Sequence, residues 1–443
     1  FNKKNIVLNL YSIFFIILIF IKIFIFYDHL YPIHDEIISI DRYLEPKNFL
    51  RRDSTNNQLL LSFFGMITNT IFGYNFVLLR LISFVSFSIL VVVLNKNLKN
   101  FFILNILFIT ILSSDLLFNY IFLFRGYYIA SLIIVLNLYF LKIYFDKKKE
   151  KYLKYSLISS TLLSVHSIYS VYFLIPIFTT ILTYVIIEKK FHLIKIFFYY
   201  FILPSSLIYF LIISVTGFAQ IYSGNLNLSF LLNNIYEVIT NSFIPGIKLI
   251  FMNSAVHDLK FSFNSFLHKM TKGESGIMTT HQLTILFIIF FTILTLISKI
   301  FLNRKNLNYF DLLVGIFFIC FLTINKNPWL RLYVPISFFL LFYLLNEIKT
   351  FMVNYEIKNK YKLNEITSII LLVLIIFVSP NKNYEQTKSE IIKIDKYKKN
   401  CELANNYLSE REKWIFINFY PKICNYKYDS KSRKNILLKK KER

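Results

Sequence analysis

The sequence predicts an all-α, polytopic integral membrane protein with about eleven transmembrane helices. Three observations carry that expectation. Hydrophobic residues make up 56% of the 443 and charged residues only 17%, with a mean hydropathy of +0.54. Soluble domains run at roughly 45–50% apolar and about 25% charged. The apolar residues also arrive in near-continuous runs of about 20, the length of helix that crosses a hydrocarbon core of roughly 30 Å. Finally, the formal charge is +25, and its basic residues collect in the short segments between runs. Two or three soluble domains, which length alone would suggest, are excluded. The charge needs no nucleic-acid partner, because basic loops of a membrane protein set its orientation and meet anionic lipid.

The runs fall near 6–27, 74–95, 101–123, 126–145, 152–168, 169–187, 195–215, 282–301, 309–324, 330–346 and 365–379. The first is too long for a signal peptide and has no small-residue cleavage site, so it reads as an uncleaved helix. The 152–187 stretch is long enough for a hairpin of two short spans. With Lys3 and Lys4 placed in the cytoplasm, the loops at 96–100, 146–151, 188–195, 299–306 and 347–364 also fall inside. These loops hold clusters such as Lys147, Lys148, Lys149 and Lys151, whereas the short outer turns near 113–125 and 325–331 hold only Arg125, Lys326 and Arg331. The positive-inside rule is met loop after loop.

The expected organisation follows. Residues 1–379 form a transmembrane domain of the cytoplasmic membrane with its N-terminus inside. Segments 28–73 and 216–281 lie outside, as does a basic tail, 380–443. That tail carries 17 Lys+Arg against 8 Asp+Glu, yet long segments translocate with little regard to charge. Cys401 and Cys424 sit in the tail, where an oxidising compartment would let them pair; two unrelated thiols is the equal alternative. Within the tail, 386–409 reads as a helix, 413–419 as a strand and Lys431 to Arg443 as a frayed basic end. No Gly-rich phosphate loop, CxxC, HExxH or GxSxG occurs, which argues against ATP-driven transport by this chain alone.

Chemistry gathers in the first outer segment. His34, Asp35 and Glu36 stand together just beyond the first run, and Ile37, Ile38, Ile40 and Leu44 follow at helical spacing. That pattern predicts an amphipathic helix lying on the membrane surface. Acids at its start also suit a helix N-terminus, which is the plain alternative to a catalytic role.

Taken with later features, this segment resembles the GT-C class of membrane glycosyltransferases, in particular the branch of protein O-mannosyltransferases and lipid A aminoarabinose transferases. Members carry an Asp-Glu pair directly after the first span, matched by Asp35-Glu36. A second surface helix follows, matched from Gln58 to Phe72-Gly73, and then Leu79-Arg80 leads into span two. An Arg-x-Tyr opening span four is matched by Arg125-Gly126-Tyr127-Tyr128, and a His in the fifth span region by His166. A late Arg-Tyr-x-x-Pro is matched, with one extra residue, by Arg331-Leu332-Tyr333-Val334-Pro335. Where many members have His-Pro-Pro-Leu, this chain has Asn56-Asn57-Gln58-Leu59.

The resemblance implies a transferase that moves a sugar from a polyprenyl-phosphate donor to an acceptor hydroxyl on a lipid, glycan or protein at the outer membrane face. Asp35 would be the general base, with Glu36 assisting it. Arg80, Arg125 and Arg331, with Tyr127, Tyr333, His34 and His166, would face the sugar phosphate. Each Arg has a plain alternative, snorkelling to lipid phosphate, and each Tyr another, anchoring at the interface. Some members use a divalent cation and others none, so no cofactor is assigned and metal ligands stay unknown. The competing readings are a transporter or flippase, and a polymerase of lipid-linked glycans; no internal repeat supports the former.

Overall fold

A computed structural model describes residues 3–27, 36, 39–40, 44, 58–73, 75–166, 170–216, 280–302, 307–324, 333–354, 396–397, 401–408, 424–429 and 434–439. The helices are α1 (Lys3–Tyr27), α2 (Leu59–Phe72), α3 (Phe76–Leu98), α4 (Phe101–Ser113), α5 (Asp115–Asn119), α6 (Tyr127–Lys147), α7 (Glu150–His166), α8 (Val171–Ile187), α9 (His192–Phe197), α10 (Leu203–Thr216), α11 (Thr280–Leu302), α12 (Tyr309–Ile324), α13 (Tyr333–Asn354) and α14 (Cys401–Tyr407). A 3₁₀ turn, Tyr120–Phe122, precedes α6. A hairpin of β1 (Cys424–Asp429) and β2 (Lys434–Lys439) completes the described chain.

The chain is a helical, membrane-embedded protein. Among the described residues, four stretches are long and apolar enough to cross a membrane: Ile6–Ile23, Val77–Leu98, Tyr127–Lys147 and Val334–Met352. Shorter apolar helices accompany them, among them Leu59–Phe72, Tyr172–Ile187 and Ile288–Phe301. The expected run 365–379, residues 217–279 of the expected outer segment 216–281 and the strand 413–419 lie outside the described residues.

Helix α6 is the centre of the bundle and packs against α3, α7 and α13. In lipid, apolar surface gives helices no reason to prefer each other over acyl chains, so small polar side chains supply specificity. Asn137 of α6 does this with α7. Its Nδ2 donates to Ser156 O at 2.8 Å and to Ser160 Oγ at 2.6 Å, and its Oδ1 accepts from Ser156 Oγ at 3.2 Å. Between α9 and α10 the helix widens to a π segment, Phe198–Ile202. Pro204 has no N–H to donate to the Tyr200 carbonyl four residues earlier. Thr161 Oγ1 of α7 donates there instead, at 2.9 Å.

Two expectations are corrected. The third run, 101–123, is not one helix. α4 stops at Ser113, and Ser114 Oγ accepts the Leu117 N–H at 3.2 Å. Ser114 is therefore the cap of the short helix that follows. Where it is described, the segment after Glu36 packs into the bundle: Ser39, Ile40 and Leu44 are buried at 2%, 8% and 4% exposure. α2 passes so close above Leu44 and Phe124 that a Cβ on Gly65 would sit 2.6 Å from each. Lastly, Lys434–Lys439 is not a frayed end. It pairs antiparallel with Cys424–Asp429, Tyr426 opposite Leu437 and Lys427 opposite Ile436, and α14 packs against it. The apolar Ile436-Leu437-Leu438 core of an otherwise basic segment suits a strand.

Candidate functional site

Five of the sequence-predicted residues meet at one end of the bundle. They are Glu36, Arg80, Arg125, Tyr127 and His166, and they converge on the turn Leu123–Gly126 that enters α6. The turn doubles back sharply, Arg125 N–H reaching Leu123 O at 2.6 Å. α3 holds it from below: Ser83 Oγ lies 2.6 Å from Leu123 O and 2.9 Å from Arg125 O.

Glu36 is wholly buried. Arg80, near the start of α3, donates Nε to Glu36 Oε1 at 3.1 Å and Nη2 to Oε2 at 2.8 Å. The Phe124 N–H adds a bond to Oε1 at 2.5 Å. A buried ion pair of this kind survives only with such geometry, since desolvation of both charges is costly. Glu36 is thereby an anchor, binding the segment that follows α1 to α3 and to the turn. Its oxygens face donors, the opposite of what a proton-accepting base requires.

Gly126 is gripped on both sides. Its N–H donates to Gln58 Oε1, and its carbonyl accepts from His166 Nε2 at 2.9 Å. A carbonyl only accepts, so Nε2 carries a proton. A Cβ on Gly126 would come within 2.5 Å of the His166 ring and 2.9 Å of Gln58 Oε1. Glycine is required here for close approach, its backbone being ordinary.

Arg125 is 1% exposed. Its Nη1 donates to Ser39 Oγ at 3.1 Å, its Nη2 lies 3.4 Å from Tyr127 OH, and its guanidinium sits 5.6 Å from the Tyr127 ring centre. Tyr120 packs edge-on against Tyr127 with ring centres 5.1 Å apart. Burial, followed by the nearby Tyr127 hydroxyl, pushes the Tyr120 phenol well above its ordinary pKa, against the pull of Arg125. A further cation belongs to this end. Lys22 of α1 is 4% exposed, with Nζ 5.1 Å over the Phe118 ring.

His34, Asp35 and Arg331 lie outside the described residues, and Tyr333 is described only as the first residue of α13. Sequence reasoning missed Ser39, Ser83, Tyr120 and Lys22, and noted Gln58 only as the start of a matched surface helix and as a departure from a family pattern. Lys22 had a readable signal, an ionisable residue inside an apolar run. Ser39 and Ser83 had none, because a lone serine is common both in an outer segment and in a membrane helix.

At the opposite end of the bundle a second ionic cluster joins α11, α12 and α13. Asp311 accepts from Lys299 Nζ at 2.9 Å and from Tyr343 OH at 2.6 Å, and Lys299 also meets Glu347 at 2.7 Å. Among the described residues no three His, Cys, Asp or Glu side chains gather as a metal set.

No protein-family model matches the chain, and neither a curated protein nor a solved structure is significantly similar to it. What fold and site define together is a class: a helical membrane protein with a buried, cation-rich polar site at one end.

Proposed function

We propose that the protein is a GT-C-like membrane glycosyltransferase of about eleven spans. It would transfer a sugar from a polyprenyl-phosphate donor to an acceptor hydroxyl at the outer face of the cytoplasmic membrane, N-terminus inside. The observation that supports this reading is the gathering of Arg125, Arg80 and Lys22 at the same end as Glu36. Asp35 directly precedes Glu36 in the sequence.

In this reading Asp35 accepts the proton of the acceptor hydroxyl as its oxygen attacks the anomeric carbon. The bond from that carbon to the phosphate oxygen breaks, the anomeric configuration inverts, and polyprenyl phosphate leaves. Arg125, held by Ser39, would stabilise the negative charge that develops on the leaving phosphate. Glu36 and Arg80 position, since each is already engaged by the other. His166 and Gln58 fix the turn that carries Arg125.

The test is transfer by purified protein with a panel of polyprenyl-phosphate sugars, comparing wild type with Asp35→Asn. Release of polyprenyl phosphate by wild type, slowed at least roughly 10²-fold in the variant, supports class and base together. Equal turnover moves the base elsewhere. Absence of turnover with every donor, combined with movement of lipid-linked glycan across proteoliposomes, replaces the transferase by a transporter.

A further inference from the structure

The end of the bundle remote from Arg80 has its own built cavity. It holds about 310 Å³ and is lined by Leu8 and Asn9 of α1, Asn95 and Lys96 of α3, Lys99 just after α3, and Tyr139 of α6. Arg80 and Lys96 lie 16 residues apart on one helix, which separates the two sites by about 24 Å. Asn95 forms the polar floor, its Nδ2 donating to Asn9 Oδ1 at 3.0 Å and to Leu8 O at 3.3 Å. Lys99 caps α3 in the left-handed region, φ 51°, its N–H returning to Asn95 O at 3.0 Å. The helix terminus thus aims one lysine from its last turn and one from its cap at the same space.

Three features specify the occupant. The lining carries two lysines and no acid. A third lysine lies behind it, Lys349 of α13 donating Nζ to Asn97 O of α3 at 2.7 Å. An exposed apolar strip also leads away from it. Val92, Ile89 and Val85 follow Lys96 at intervals of four, three and four residues and are 36%, 46% and 51% exposed. That spacing puts all of them on one face of α3 with Lys96, and Val77–Leu98 is a stretch able to cross a membrane.

A phosphate group in a cavity beside an apolar strip is the form of a phospholipid. The cavity is at the small end of the range for ligand pockets, roughly 300–1,000 Å³, so it takes a headgroup while acyl chains lie outside along the strip. We propose that this cavity binds the phosphate headgroup of an anionic phospholipid, with Lys96 and Lys99 as its cationic ligands and Val92, Ile89 and Val85 as the acyl-chain track. Basic pockets between membrane helices recognise anionic headgroups by the same physics. Under the orientation proposed above this end meets the cytoplasmic leaflet, but the cavity's chemistry stands without that orientation and without any transferase activity.

The experiment measures binding to the full chain in a neutral detergent, using phosphatidylglycerol, phosphatidylcholine, and water-soluble glycerol 3-phosphate. Saturable binding of phosphatidylglycerol, at least about 10-fold tighter than either comparator, is expected. Lys96→Gln with Lys99→Asn should weaken it roughly 10- to 30-fold, asparagine being chosen because it tolerates the left-handed cap. Lys96→Arg with Lys99→Arg should keep it. Lys147→Gln with Lys151→Gln, which removes two exposed charges away from the cavity lining, should change it by less than about 2-fold. Equal weakening by both neutralising pairs means diffuse surface charge and overturns the site. Phosphatidylcholine matching phosphatidylglycerol overturns the anionic requirement. Glycerol 3-phosphate binding as tightly as the lipid makes this a soluble-anion site and overturns the lipid assignment. The wild-type comparison decides the ligand class even where a variant misfolds.

Discussion

Arg80 grips both carboxylate oxygens of Glu36, 44 residues away in sequence, with the two side chains 3% and 0% exposed. The pair ties the segment following α1 to α3, and the Phe124 N–H brings the α6 entry turn into the same knot. Removing either partner leaves an uncompensated buried charge. Glu36→Ala and Arg80→Ala are each expected to cost about 3–5 kcal/mol. The double variant should cost clearly less than the sum of the two. A denaturation double-mutant cycle in detergent checks this, and additive losses would show that the pair is not the anchor.

Gly126 predicts a steric effect with a chemical signature. The added methyl of Gly126→Ala meets the His166 ring and Gln58 Oε1 well inside van der Waals distance. Overpacking of this kind costs about 1–3 kcal/mol. Because the displaced side chains hold the Arg125 turn, transfer should fall more than stability does. Gly126→Ala combined with His166→Ala should recover part of the lost melting temperature, since the ring it strikes is gone.

Arg125 separates guanidinium geometry from charge. Its planar fork spans Ser39 and Tyr127. Lysine keeps the charge and loses the fork, so Arg125→Lys should lower kcat/KM by about 10-fold or more and Arg125→Ala further still. Steady-state kinetics on the donor identified by the panel measures both. Equal rates for wild type and Arg125→Ala would remove Arg125 from the phosphate role.

Tyr120 yields a pH dependence with a definite sign. Burial, the largest cause, raises its folded pKa, so the neutral phenol is the form the fold favours. Its stabilising contribution is present in full below the unfolded value of about 10 and is lost as pH rises above it toward the folded value. Wild type and Tyr120→Phe should therefore show parallel melting temperatures from neutral pH to about 9. Above about 10 the wild type should fall faster, phenylalanine having no proton to lose. Melting curves at stepped alkaline pH read the difference.

Parts of this molecule are legible in the chain because hydropathy is local. Ile6–Ile23, Val77–Leu98, Tyr127–Lys147 and Val334–Met352 announce themselves as apolar runs, and no tertiary contact is needed to know that water rejects them. The same holds for Arg80, Arg125 and His166, whose polarity within such surroundings marks them as costly and hence as candidates. Breaks are harder to read. Leu116 to Leu123 is as apolar as the run before it, so only the Ser114 cap and the return of the chain toward Ser83 end α4 at Ser113.

By itself, then, the sequence determined that this is a helical membrane protein and which ionisable side chains its apolar runs must accommodate. Tertiary structure alone decided their roles. Asp35 and Glu36 are neighbours and look equivalent as carboxylates, yet Glu36 is committed to Arg80 and Phe124. Gln58 looks like a loss where a histidine is expected, yet it holds Gly126 against His166. The physical reason is that a side chain's charge state and freedom to react depend on which donors surround it. Those donors here come from α3, from α7 and from the turn before α6, 40 to 88 positions distant along the chain. No local pattern records a partner at that range.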